Sequence, residues 1–401
     1  MSIAAADRWS PDHPLCAAAG IVLLAAGAQL VAIQPIFVQA LVEQGGLSPP
    51  AAGYALSAEM SAIAASTIAV ALYVRRLPWR RVLALALSLM VLGNLASIAA
   101  VGHLELLLAA RVATGLGAGL VVPLGFATLG RTAAADRNFG LSVLVVLSYA
   151  TIVTPVLPTL VAHVGIGGMF GLMAAVAAFA LGFLRYVPAG GAASSEAAGR
   201  VVDPGAAWRF AGLGAMFAYF FAQGAFWSFA ALAGRYGGLA EQDVANAIAI
   251  SQFAGVAGAA CAATIGARVG RALPLTVGIV LGAGAVIGMT SGLDVPRYTS
   301  AMIVYNFAWN LTHPYLLAVI ARFDADGRHV TYAVAMHKIG LAAGPAAGAA
   351  VLTHAGYAGV ATLSLAAFGV SLLLILGPVW RQRSLEARAA APNAGADPGP
   401  A

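Results

Sequence analysis

The sequence predicts an all-α polytopic membrane protein: twelve transmembrane helices in two six-helix halves related by a parallel repeat. Three observations carry that expectation. Of 401 residues, 61% are hydrophobic and only 9% charged, whereas an ordinary soluble domain carries about 25% charged residues, so a soluble globule could not cover itself. Apolar runs long enough for a bilayer core, which needs about 20 helical residues, recur along the whole chain with no polar domain between them. The basic residues collect in every second turn between these runs.

Taken in order, the first run follows MSIAAADRWSPDHPLC and continues to residue 41. That is longer than the core of about 7 to 15 residues in a cleaved signal peptide, so it reads as a span. Charged, Gly or Pro breaks set off further runs at 50–73, 82–101, 104–128, 140–164 and 168–187, then at 208–234, 243–266, 274–293, 298–321, 331–354 and 356–380. With the N-terminus inside, the inner turns hold Arg75, Arg76, Arg80 and Arg81, later Arg131 and Arg137, and later still Arg268 and Arg271, whereas the outer loops hold only Arg235 and Arg297. Such an asymmetry places both termini in the cytoplasm of a cell whose inner membrane the chain spans. The net charge of +6 is thereby an orientation signal and not a nucleic-acid-binding face. Cys16 and Cys261 both fall in apolar runs and are expected as free thiols.

The chain also repeats itself. GGLSPPAAGYALSAEMSAIAASTIAVALYVRR (45–76) and GGLAEQDVANAIAISQFAGVAGAACAATIGAR (237–268) run in parallel without a gap, 192 residues apart, and each ends in a basic turn. A second echo links TPVLPTLVAHVG (154–165) with GPAAGAAVLTHAG (344–356). Equivalent turns on one side give parallel halves, an arrangement found in transporters that rock about a midplane site. The expected units are an N-terminal half (1–187), a Gly/Ala/Ser-rich cytoplasmic linker (188–207), a C-terminal half (208–381) and a disordered cytoplasmic tail (382–401).

Three places resemble the major facilitator superfamily. YVRRLPWRR, with Arg75, Arg76, Arg80 and Arg81, sits where that family has its basic signature loop after span 2, although the usual acidic residue and Gly-rich start are missing; GARVGRALP, with Arg268 and Arg271, repeats it after span 8. RVATGLGAGL in span 4 is similar to the family's arginine-glycine signature, with Arg111, Gly115, Gly117 and Gly119 at the matching places. The family's antiporter signature is absent from SYATIVTPVLP in span 5, but span 11 holds GLAAGPAAG with Gly340, Gly344, Pro345 and Gly348. The glycines four apart have a physical reading of their own, since they let a neighbouring helix approach closely. Prolines within spans tend to border a bend or cavity.

Ionisable groups deep in the spans are the candidate working parts, because each is costly in hydrocarbon. Glu59 in span 2 and Arg111 in span 4 lie roughly 12 and 10 Å from the outer ends of their helices at about 1.5 Å per residue. They share a level, have opposite signs and are expected to attract each other as the proton-coupling pair, with Gln34 of IQPIF at similar depth to complete the group. The second half has no deep acid. His313 in WNLTHPY and Lys338 share a level near the inner side, and with Asn306, Asn310 and Tyr305 or Tyr315 they form a donor-rich cationic patch. The expected substrate contacts are therefore Lys338, His313, Asn310, Asn306 and Gln34. His337 and Lys338 are neighbours about 100° apart on a helix, so only one points straight at a cavity.

No covalent chemistry emerges: GxxxxGK[ST], HExxH and CxxC are all missing. No cofactor or metal is expected, and no enzymatic activity. The reading is secondary active transport of a small-molecule substrate by a monomer in a lipid bilayer, driven by protons, with uptake of an organic anion (a carboxylate) favoured. Proton-coupled efflux of a drug or metabolite is the alternative, ahead of an intramembrane enzyme or a channel.

Overall fold

The computed structural model describes residues 13–73, 77–132, 134–188, 205–266, 268–290, 292–323 and 328–390. They form α1 (Pro14–Glu43), α2 (Pro49–Tyr73), α3 (Trp79–Ala100), α4 (Leu104–Leu129), α5 (Ala135–Val164), α6 (Ile166–Leu181), α7 (Ala206–Tyr236), α8 (Glu241–Ile265), α9 (Ala272–Gly288), α10 (Val295–Ala321) and α11 (Arg328–Ala390). Nine apolar helices among the described residues are long enough to cross a membrane. α9 is shorter and apolar, and α10 is long but interrupted by Tyr305, Asn306, Asn310 and His313.

Local chemistry sets the ends. Pro49 and Pro50 open α2, where a missing N–H costs nothing. Asp294 caps α10 by accepting from the Arg297 amide at 2.7 Å. Two glycines at left-handed φ turn the chain between helical arms: Gly165 (φ 75°) between α5 and α6, and Gly356 (φ 58°, ψ −162°) within α11. The expectation of separate spans 331–354 and 356–380 thus meets one continuous element broken at a single non-helical residue, because glycine makes the reversal without a loop. These glycines end the second sequence echo. Helix bounds also recur at the spacing of the first: α1 begins at 14 and α7 at 206, while α2 covers 49–73 and α8 covers 241–265.

Packing follows the small residues. α4 lies against α2 and α3, and α10 against α8 and α9. A methyl group added at Gly115 would strike the Glu59 carbonyl, one at Gly119 the Ile63 carbonyl, and one at Gly117 the Ala86 carbonyl. The three glycines therefore seat α4 between two neighbours. In the second half Gly340 and Gly344 meet the backbone of α7 at Phe217, Phe221 and Ala225 in the same way. Across the halves, α2 packs on α11, α5 on α8 and α1 on α7.

The turns α2–α3, α4–α5 and α8–α9 share one end of the bundle, the basic end, with Arg80, Arg81, Arg131, Arg268 and Arg271. Arg80 donates to the Val187 carbonyl at 2.6 Å, Arg268 to the Thr264 carbonyl at 3.1 Å, and Arg131 covers the Trp79 ring at 5.5 Å. Arg75 and Arg76 lie outside the described residues, as do most of the 188–207 segment and residues 391–401. The tail expected from residue 382 is corrected in part: α11 runs on to Ala390. Its stretch RQRSLEARAA is composed mostly of strong helix formers, which extend the preceding helix.

Candidate functional site

Two polar centres stand inside the bundle, one in each half. In the first, Arg111 is fully buried and donates from Nη1 to Glu59 Oε2 at 3.1 Å. Its remaining donors go to α3 and its own helix: Ser97 Oγ (2.6 and 3.0 Å), Asn94 Oδ1 (3.0 Å), the Gly93 carbonyl (3.2 Å) and Thr114 Oγ1 (3.2 Å). Phe170 of α6 and Phe37 of α1 close over the guanidinium at 4.9 and 5.8 Å. The bridge depends on Gly115, because only a bare Cα lets α4 come within reach of the α2 carboxylate. Such saturation offsets the cost of a buried charge.

Glu59 and Arg111 are thus brought together, while Gln34 is not part of their group. Its Nε2 donates across the halves to Ser228 Oγ at 2.8 Å, since its side of α1 faces α7. The partners on α3 were missed by reading spans singly. The GNLAS stretch of α3 puts Gly93, Asn94 and Ser97 on one face, and that polar cluster was a usable signal.

In the second half, Phe220 of α7 stacks on His337 at 3.6 Å between centroids and meets His313 edge-on at 4.9 Å. The two imidazoles meet edge-on, 4.9 Å between centroids and 73° between planes. Lys338, the next residue, is half-buried within electrostatic reach of both rings. Among the described residues it has no hydrogen-bond or ion-pair partner. It shares a face of α11 with Ala342, Pro345 and Ala349, at helical spacings of four, seven and eleven. That face meets α2: Ser57 Oγ donates to the Ala342 carbonyl, and Gly53 lies under Pro345 and Ala349. Lys338 therefore stands one turn from the Ser57–Ala342 contact, toward the basic end.

A cavity of about 200 Å³ lies between the halves, bounded by α1, α5, α7, α8 and α10, and Lys338, His313 and His337 are not in its lining. Its polar lining is Gln252, Asn306 and Asn310, and its aromatic lining Trp227 and Trp309. Asn306 holds Ser251 Oγ at 2.9 Å, and Asn310 Nδ2 holds the Asn306 carbonyl at 3.0 Å. Trp309 connects this cavity to the histidines through Phe220, 6.3 Å away. Tyr305 stacks on Trp227, but Tyr315 is turned away: its hydroxyl donates to the Gly266 carbonyl at 2.9 Å. Of the alternatives Tyr305 and Tyr315, the structure keeps Tyr305. Phe220, Trp227 and Trp309 were invisible as site residues because single aromatics are common in apolar helices.

Several hydrogen bonds join the halves at or above the cavity, away from the basic end. Beyond Gln34–Ser228 and Ser57–Ala342 they include Glu43–Arg235 (2.8 Å), Gln44–Glu241 (3.2 Å) and Gln242 to the Pro155 carbonyl (3.0 Å). Glu43 and Arg235 are 192 positions apart, the spacing of the sequence echo. Partly exposed ion pairs of this kind are worth at most about 1 kcal/mol. In a background lacking Cys16 and Cys261, Arg235→Gln is expected to raise labelling of a cysteine at Ser57 by an impermeant maleimide about two- to fivefold. An unchanged rate would show that the pair does not hold this end shut.

A bundle of apolar helices around a polar cavity between two halves, with charges held inside the apolar layer, is a multi-pass membrane transporter. The family model of the Major Facilitator Superfamily matches residues 17–336, and the chain belongs to that family. It is accordingly a secondary transporter of small solutes, not an enzyme. Among solved structures it is similar to a crystal structure of a mutant of the nucleoside transporter NupG, with a TM-score of 0.71 and 12% identity over 92% of this chain and 98% of that one. No curated protein matches in sequence.

Proposed function

We propose that the protein takes up a small organic anion together with protons, by rocking of two parallel six-helix halves about the cavity. The observation that carries this reading is Lys338: a cation on an intramembrane helix, without a carboxylate among the described residues, one turn from the contact between halves. A substrate carboxylate supplies the missing partner, with Asn310, Asn306 and His313 as further donors. The matching bounds of α1 and α7, and of α2 and α8, support the parallel repeat, and the two arms of α11 on either side of Gly356 support reading twelve spans. The arginine-rich basic end is assigned to the cytoplasm. The hydrogen bonds between the halves at the other end support reading this as an inward-facing arrangement.

The test is uptake into proteoliposomes carrying an internal pH dye, over a panel of carboxylates. Acidification of the lumen that accompanies uptake of one of them is the expected outcome. Proton release by cationic or neutral drugs alone would replace this reading with efflux of a drug or metabolite.

A further inference from the structure

We propose that His313 and His337 together form the proton site of transport: one proton enters the adjacent imidazoles when an anion is held at Lys338, and travels with it. The inference rests on the anion reading of Lys338. Its geometry is the 4.9 Å pair of rings and the adjacent ammonium. At this separation a proton on one ring disfavours a second on the other, so the pair takes up one proton and not two.

Among the described residues, no charge other than Lys338 stands at this level. α7 presents Phe220, α10 adds Tyr305 and Trp309, and α11 adds Lys338. Arg209 and Arg322 on α7 and at the end of α10 are roughly 16 and 13 Å away along their helices at about 1.5 Å per residue. On α2, the carboxylate of Glu59 is committed to Arg111. A proton on either ring therefore stands beside Lys338 as a second positive charge, and an arriving carboxylate offsets one of the two. Proton and anion binding then favour each other, as linkage requires. Because the proton offsets the anion's charge, the loaded and empty sites carry the same net charge, so the paired movement is electroneutral. Glu59 is less suited to carrying the proton, being 1% exposed, with Phe37 and Phe170 covering its partner.

The experiment is calorimetric titration of the purified full-length protein with benzoate near neutral pH, in buffers of different ionisation enthalpy. About one proton taken up per bound benzoate is expected. In the His313→Gln, His337→Gln double variant the ratio should fall toward zero whatever the affinity, and each single variant should lower it. An undiminished ratio overturns the proposal and returns the proton to another group. A ligand-free arm separates the two readings: tryptophan emission, reporting from Trp309, is followed from about pH 4 to 8. A transition lost in the double variant, with no benzoate binding, would overturn the anion reading and leave the proton site standing. Benzoate binding to the wild type without proton uptake would overturn the proton site itself.

Discussion

Lys338→Gln is expected to remove carboxylate uptake, by at least about 30-fold in apparent affinity, since loss of one member of a desolvated charge pair costs about 2 to 5 kcal/mol. The side chain lies on the face of α11 that meets α2 yet touches no acid among the described residues, so its removal breaks no ion pair among them. Folding should be retained, with an unchanged melting profile in detergent. Lys338→Arg keeps the charge but spreads it over a planar fork, so partial uptake is expected. The decisive measurement is initial uptake against substrate concentration in proteoliposomes. Full uptake by the glutamine variant would mean that the ammonium merely reaches toward the basic end along the apolar surface.

The second large effect is expected on stability. Arg111→Ala should cost about 3 to 5 kcal/mol, the usual penalty for leaving one charge of a buried pair uncompensated. Here the loss includes Glu59 and the acceptors Ser97, Asn94 and Thr114, all of which rely on the same guanidinium. Replacing both members with apolar residues, Glu59→Leu with Arg111→Met, should recover much of that loss, because neither charge is then stranded. Thermal unfolding of the two variants in detergent reads the difference. A double variant as unstable as Arg111→Ala would show that the polar partners on α3, and not the carboxylate, dominate the centre.

Much of this arrangement is legible in one dimension. Depth along a helix follows from counting residues, so Glu59 and Arg111 are placed on one level, and His313 and Lys338 on another, before any coordinates. Counting does not fix rotation. Gln34 has the depth of the ion pair but points to Ser228, and Tyr315 has the wrong azimuth for the patch that Tyr305 borders. Partners from a third helix are harder still, because nothing in the spacing of α4 says that α3 will supply Ser97 and Asn94.

By itself, the sequence determined the environment, the succession of apolar helices, the 192-residue spacing and the few charges that hydrocarbon makes expensive. Those properties depend on composition and on one-dimensional period. The tertiary structure decided which charge is spent and which is free: Arg111 is sealed by six hydrogen bonds and two rings, whereas Lys338 is left beside a pair of histidines. The reason is physical. Partnership depends on which faces of separate helices meet, and in this chain glycines such as Gly115 and Gly344 set that through backbone contacts that no spacing rule encodes.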